Sequence, residues 1–176
     1  TGVQTCAIPI YADVILRVAR SAMENAGAQR GLVLTVDARN VLTVELEVDV
    51  DRDEAISGHR EVAEAEQRFF VSVARRAIRR REPVVVEDAR IAPELRLAPR
   101  QSAIDARSVL CVPIVNRGRV GGVLYLENNL TAGAFTADRV EVVSVLAAQA
   151  AVSIESARLI DALRASEAQW RSVVDH

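Results

Sequence analysis

The sequence predicts an α/β domain: an antiparallel sheet of five or six strands, helices on both faces, and a long C-terminal helix. Three observations carry that expectation. Residues 107–128, RSVLCVPIVNRGRVGGVLYLEN, hold two apolar runs rich in β-branched residues on either side of Asn116-Arg117-Gly118-Arg119, the pattern of a β-hairpin. Both runs are apolar at odd and even positions, so the hairpin is expected mid-sheet and covered above and below by helices. Apolar residues at helical spacing recur at the start, middle and end of the chain, and from residue 137 onward no glycine or proline interrupts them. A helix of that length must leave its domain.

Taken in order, residues 11–26 place Val14, Ile15, Val18, Ala19, Ala22 and Met23 at spacings of three and four, and Asn25-Ala26-Gly27 closes that amphipathic helix. Strands follow at 31–36 and 41–48 around Asp37-Ala38-Arg39-Asn40, where Asp and Asn favour a turn. In the second strand Val44, Leu46 and Val48 alternate with Thr43, Glu45, Glu47 and Asp49, which suggests one wet face near the sheet edge. Residues 50–59 read as a solvated loop. Residues 61–81 return to helical spacing, with acids early and Arg75, Arg76, Arg79, Arg80 and Arg81 late. That order suits the helix dipole at roughly 0.3–1 kcal/mol per charge, and the arginines read as a solvated helix end before a phosphate or membrane patch. A strand at 83–86 carries Pro83 at its first position, as strands permit. Residues 87–106, interrupted by Pro93 and Pro99, have little regular pattern; connections this long are usually functional covers or disordered. Gly121 and Gly122 weaken a strand unless a helix or a bound molecule uses the space they leave. Thr136 is placed to cap the last helix, with Asp138 and Glu141 in its first turn.

Composition bounds the function. The chain has 176 residues, half of them apolar, enough for one buried domain and a short extension. Its 22 basic residues, every one an arginine, face 24 acidic ones. No basic field for nucleic acid results, and the all-arginine usage reads as codon bias in a GC-rich bacterial genome. No uninterrupted apolar run reaches the ~20 residues of a membrane span and no signal-peptide pattern opens the chain; a cytoplasmic protein without a membrane partner is expected. Cys6 and Cys111 are too far apart to suggest a metal pair or a disulfide framework, so a reducing compartment is the default. Residues 1–10, TGVQTCAIPI, resemble the translation of a sequencing-adapter oligonucleotide except at Ile8. They are expected to be an assembly artefact, with the natural chain continuing past both ends.

The run RSVLCVPI, the turn, GGVLYLENN, then Phe135-Thr136-Ala137-Asp138 and the helix ending QAAVSIESARL together resemble the second half of a GAF domain. The resemblance extends upstream through ENAGAQRGLVL and REPVVVEDA and covers about residues 12–159. It is nearest to GAF sensor modules of large multidomain bacterial signalling kinases, in which a kinase-like region and an ATPase precede the GAF module and a histidine kinase follows. This resemblance implies a non-catalytic regulatory module, not an enzyme, that binds an unidentified small ligand or, as the alternative, only dimerises. It further implies that residues 87–106 close a small-molecule pocket, for which Asp88, Arg107 and Ser108 are the candidate rim and Leu97, Leu110 and Val112 the candidate lining.

No catalytic constellation stands out. His59 lies in a polar stretch and His176 at the chain end, neither with an evident base or metal partner. Cys111, inside an apolar strand, should behave as a small hydrophobe. Some GAF domains attach a bilin through cysteine, but the surroundings of that attachment and a neighbouring histidine are missing here. A haem ligand is not offered either, because Met23 belongs to the first helix's apolar face. GAF domains that bind cyclic nucleotides carry Asn-Lys, Phe and Asp-Glu; this chain has Asn128-Asn129, Phe135 and Asp138-Arg139, lacking the Lys and the Glu and with Phe-to-Asp one residue short. Methionine sulfoxide reductases of the same fold need several pocket cysteines, which Cys111 alone does not supply. No cofactor or metal is therefore expected.

The C-terminal helix carries the last expectation. Val152, Ser156, Leu159, Leu163, Ser166, Trp170 and Val173 alternate at four and three, a coiled-coil seam of about three heptads weakened at its serines. A homodimer is expected through Val152, Leu159, Leu163, Trp170 and Val173. Residues 11–157 form the GAF domain on this reading. Residues 158–176 form a linker into a following PAS domain, whose lead-in Ser166-Glu167-Ala168-Gln169-Trp170-Arg171 resembles.

Overall fold

The computed structural model describes residues 9–62, 69–95 and 105–174. In chain order these form α1 (Ile10–Ala26), β1 (Arg30–Val36), β2 (Leu42–Asp49), β3 (Glu54–Glu61), α2 (Val71–Arg80), β4 (Val84–Val86), a 3-10 turn (Pro93–Leu95), β5 (Ser108–Asn116), β6 (Arg119–Asn128) and α3 (Ala137–Val174). The strands make one antiparallel sheet in the order β3-β2-β1-β6-β5-β4. Arg117 and Gly118 between β5 and β6 have φ of 51° and 76°. Positive φ at both central residues is the type I′ geometry, whose twist matches that of the strands it joins.

Each face of the sheet has its own core. On one face α1 and α3 lie side by side, α1 burying Ile15, Ala19, Ala22, Met23 and Ala26, and α3 burying Val143, Ala147, Ala150, Ala151, Ile154 and Ala157. They cover Val33, Leu46, Leu110, Val112, Leu124 and Leu126. On the other face α2 contributes Val73, Ala74 and Ala77, and the segment after β4 contributes Ala92, Leu95 and Ala106, over Leu32, Leu34, Val109, Cys111, Val123 and Tyr125. Consecutive strand residues point to opposite faces, which is why an unbroken apolar run fills both cores.

Four expectations change. Residues 50–59 are not simply a loop: Glu54–Glu61 is the edge strand β3, and all eight of its residues are exposed. With no buried side chain it shows no alternation, and its charged, glycine-containing sequence is typical of an edge that must not pair further. The helix expected over 61–81 begins only at Val71, Glu61 being the last residue of β3; Glu64 and Glu66 lie outside the described residues. Arg79 and Arg80 do fall in the last turn of α2.

Val44, Leu46 and Val48 do not share a face. Val33 pairs with Leu46 but Leu34 with Val44, leaving Glu45 as the extra residue of a β-bulge. The bulge reverses the phase, so Leu42 and Val44 enter the α2-side core while Leu46 and Val48 enter the helix-pair core. The two glycines of β6 also separate. A Cβ at Gly122 would overlap the Leu34 carbonyl oxygen, whereas one at Gly121 would meet nothing within 4 Å. Gly122 is thus required by the neighbouring strand's backbone rather than by a helix.

α3 spans 38 residues, about 57 Å at 1.5 Å per residue. It is long enough, and over part of its length apolar enough, to cross a membrane by composition alone. Much of that apolarity is its inner stripe, buried on the domain down to Ala157; the helix continues for a further four to five turns.

Candidate functional site

The antiparallel pairing of β4 with β5 brings Asp88, just after β4, beside Arg107, just before β5: Ala89 N–H donates to the Arg107 carbonyl at 2.8 Å. Arg107 Nη2 lies 3.4 Å from Asp88 Oδ2, and Asp88 Oδ1 accepts from the Arg90 N–H at 3.0 Å. Arg107 Nε is buried without a hydrogen-bond partner among the described residues. Ser108 is next to this pair but already engaged, its Oγ donating to the Thr131 carbonyl at 3.0 Å. Leu97 lies outside the described residues. Leu110 and Val112 are in the core beneath α1 and α3, whereas the apolar residues of the segment after β4 pack in the opposite core. Alternation puts Val109 and Cys111, not Leu110 and Val112, on the side that this segment covers. Of the six candidates, then, the structure joins Asp88 and Arg107, and places two of the apolar three on the far side.

The α2 side also contains a polar network that the sequence reading missed. Tyr125, fully buried, accepts from the Phe70 N–H at 3.1 Å and donates from its hydroxyl to Glu127 Oε1 at 3.0 Å. Arg30 Nη1 donates to Glu127 Oε2 at 3.1 Å, and Arg30 Nε and Nη2 donate to Glu47 Oε1 at 3.0 and 2.6 Å. Arg60 on the edge strand reaches Glu47 Oε2 at 3.2 Å. Phe69 stacks edge-on to Tyr125 at 5.3 Å between centroids.

Burial raises the pKa of Glu127 above the usual carboxylate range despite Arg30, and burial together with the Glu127 charge raises Tyr125. Glu47 goes the other way: burial opposes its charge, but hydrogen bonds and charge from Arg30 and Arg60 prevail and lower it. The signal for this network was Glu127 itself, an acid at the end of an otherwise apolar strand.

Cys111 is fully buried, and burial pushes its thiol far above the ordinary range. No group of three or more His, Cys, Asp or Glu able to hold a metal occurs among the described residues. His59 does have a neighbour: its Nδ1 lies 3.2 Å from Glu45 Oε1, because the bulge at Glu45 turns that carboxylate toward the edge strand.

The outer side of α3 is the second candidate region. Val152, Leu159, Leu163, Trp170 and Val173 are 61% to 69% exposed and fall on one stripe at alternating spacings of four and three. The stripe starts earlier than expected, since Val142 and Val145 continue it toward the N-terminus and are exposed as well. The signal was the same spacing, read from residue 142 instead of 152.

A six-stranded antiparallel sheet with a helix pair on one face and a short helix and connecting segment on the other is a three-layer α/β fold. Residues 12–154 match the GAF domain family, and the chain belongs to that family. It is similar in fold to the GAF domain of an Acinetobacter phosphoenolpyruvate-protein phosphotransferase, at 19% identity and a TM-score of 0.63 over 88% of this chain and 87% of that one. It is also similar to the blue-light-absorbing form of the Thermosynechococcus elongatus PixJ GAF domain, at 17% identity and a TM-score of 0.62 over 94% and 96%. In sequence, 53 residues are 40% identical to hybrid signal transduction histidine kinase G of Dictyostelium discoideum. That match spans 30% of this chain and 2% of the relative.

Proposed function

We propose that this GAF domain is the regulatory sensor module of a cytoplasmic bacterial signal-transduction kinase. On this reading it takes a small ligand on the α2 side of the sheet, near Asp88 and Arg107, and relays occupancy through α3 in a homodimer. The observation that carries the reading is α3, a single helix whose inner stripe belongs to the domain core and whose outer stripe is apolar and exposed. A helix shared in this way couples packing inside the domain to whatever follows it, provided the pair has two arrangements of similar energy. Arg107 Nε, buried and without a hydrogen-bond partner among the described residues, supports a ligand on the α2 side, and the short match to a histidine kinase supports that class of output. Residues 158–176 are on this reading a linker toward a PAS domain, and residues 1–10 an appended artefact. On this reading the domain regulates rather than catalyses; its lone core cysteine, Cys111, does not supply the several pocket cysteines that sulfoxide reductases of this fold need.

Sedimentation tests the relay. The 176-residue chain should form a concentration-dependent dimer, weakened by Leu159→Asp together with Leu163→Asp. A strict monomer at tens of micromolar, unchanged by that pair of substitutions, removes the reading; a dimer that survives them moves the contact onto Val142, Val145 and the domain. For the ligand, a thermal-shift panel of nucleotides, haem, bilins and aromatic acids should find a stabiliser that Arg107→Gln abolishes, worth about 2.7 kcal/mol at one hundred times its Kd. A null result across the panel supports dimerisation without a ligand.

A further inference from the structure

The helix-pair side of the sheet holds a cleft of about 460 Å³ between α3, the start of α1 and the hairpin end of the sheet. Small-molecule sites occupy roughly 300–1,000 Å³. Its floor is apolar, formed by the buried Ile114, Ala151 and Ile154, and its rim carries Arg117, Arg119 and Arg158 with Asp37 and Glu155. Arg158 is held in place: its guanidinium sits 4.9 Å from the centre of the Tyr11 ring, and Nη2 donates to the Tyr11 hydroxyl at 3.1 Å.

Orientation does not consume its charge. The nearest carboxylate oxygen, Glu45 Oε1, is 3.9 Å away and already accepts from Thr35 Oγ1 at 2.8 Å, with His59 Nδ1 at 3.2 Å. Asp37 is turned toward its own loop, its Oδ1 accepting from the Arg39 and Val41 N–H groups at 2.9 Å each, and makes no ion pair with Arg158 among the described residues. Arg117 and Arg119 make no ion pair among the described residues. Open space beside Gly121, where a Cβ would meet nothing within 4 Å, adds room at the mouth.

We propose that this cleft binds a small organic carboxylate with a short apolar body, its carboxylate against Arg158 and Arg119 and its body on Ile114, Ala151 and Ile154. A monoanion fits better than a phosphate dianion because Glu155 and Asp37 stand on the same rim. The site lies on the opposite face of the sheet from the one proposed near Asp88 and Arg107. Its α3 wall ends at Arg158, one residue past the last buried position of that helix. Occupancy would therefore bridge α1, the hairpin turn and α3 where α3 leaves the domain, giving the helix a second input.

Titration of the 176-residue chain with phenylbutyrate, followed by calorimetry and amide chemical shifts, tests this. Saturable one-to-one binding is expected, with shifts at Gly118, Gly121 and Gly122 while Val109 and Cys111 stay still. Phenylbutanol, lacking the charge, and inorganic phosphate, lacking the body, should bind at least about tenfold more weakly, as loss of a charge-assisted hydrogen bond predicts. Arg158→Gln should weaken phenylbutyrate by about tenfold, and Gly121→Leu should block it by filling the mouth. Should Arg158→Gln fail to fold, Arg119→Gln at the exposed start of β6 replaces it, with a smaller loss expected. Equal binding of the alcohol, no binding at millimolar acid, or binding that folded Arg119→Gln and Gly121→Leu variants leave unchanged overturns the proposal. Shifts confined to Val109, Cys111 and Arg107 would overturn it too while supporting the α2-side pocket.

Discussion

The two faces of the sheet are held by different physics. Beneath α1 and α3 the core is aliphatic and alanine-rich, with Phe135 the one buried aromatic ring among its described residues, and what it requires is fit. Beneath α2 the cover is a ten-residue helix and a connecting segment, and the same side holds Tyr125, Glu127, Arg30 and Glu47 in one hydrogen-bonded chain. Tyr125 reaches the Phe70 N–H at the start of α2, so this chain pins the cover in place as well as satisfying itself. One face is secured by apolar area, which is indifferent to pH, and the other in part by charge, which is not.

Matched substitutions should separate the faces, and these are the largest effects expected. Leu124→Ala under the helix pair should cost roughly 2–5 kcal/mol, and Arg30→Met should cost about 3–5 kcal/mol because it leaves the buried Glu127 without its cation and Glu47 with Arg60 alone. Urea unfolding at several pH values tells them apart. Glu47 is lowered by Arg30 and Arg60, so its contribution is present above the unfolded carboxylate pKa and is lost as pH falls through its folded value. Glu127 is raised by burial, so folding favours its protonated form, and that advantage disappears as pH rises through its folded value. Removing Arg30 deprives Glu127 of the charge that opposes its burial and leaves Glu47 only that of Arg60. The cost of Arg30→Met should therefore grow from acid to neutral pH, while that of Leu124→Ala stays level. A level Arg30→Met profile would mean that the network contributes shape rather than charge.

A smaller effect is expected at Cys111, on the polar network's side but outside its hydrogen bonds. Cys111→Ser should cost roughly 1–3 kcal/mol by burying a hydroxyl among apolar neighbours, and more than Cys111→Ala. The native thiol should label slowly with a maleimide and quickly in denaturant. Fast native labelling would show that the α2-side cover opens readily, and would break the claim that it is pinned.

This contrast also explains what could be read from the chain. Strand identity, the I′ hairpin and the inner stripes of α1 and α3 follow from apolar spacing and local turn chemistry, which are written in consecutive residues. β3 was not legible because an edge strand with every side chain in solvent has no pattern beyond that of a loop. The bulge at Glu45 was not legible either: Val44, Leu46 and Val48 alternate faultlessly, and only pairing with β1 reveals the skipped residue. For the candidate site, Asp88 and Arg107 came from the family resemblance, and it is the pairing of β4 with β5 that brings them side by side; the facing of Leu110 and Val112 depends on strand phase, which an all-apolar run conceals. The network joins Arg30, Glu47, Tyr125 and Glu127 from three strands, and no local rule links them.

The smallest effect concerns the joint between the two terminal helices. α1 begins after Pro9, which offers no side-chain cap, yet its first amides are not left to solvent. Asp161 of α3 accepts from the Ile10 N–H at 3.2 Å and from the Tyr11 N–H at 2.9 Å, which makes it an N-cap supplied across about 150 residues of chain. Being a carboxylate at a helix N-terminus, it also meets the positive end of the α1 dipole. Asp161→Ala should cost about 1 kcal/mol, a fall of roughly 2–4 °C in Tm for a domain of this size. Asp161→Asn keeps an acceptor and should recover much of the loss. Amide exchange gives the sharper reading: protection should drop in the first turn of α1 and around residue 161 of α3, while β1 and β6 remain unchanged. If protection falls instead across the whole helix-pair face, Asp161 belongs to the global core. If nothing changes, the joint rests on the Arg158–Tyr11 contact one turn away, and the double variant with Arg158→Gln should then show the loss that Asp161→Ala alone did not.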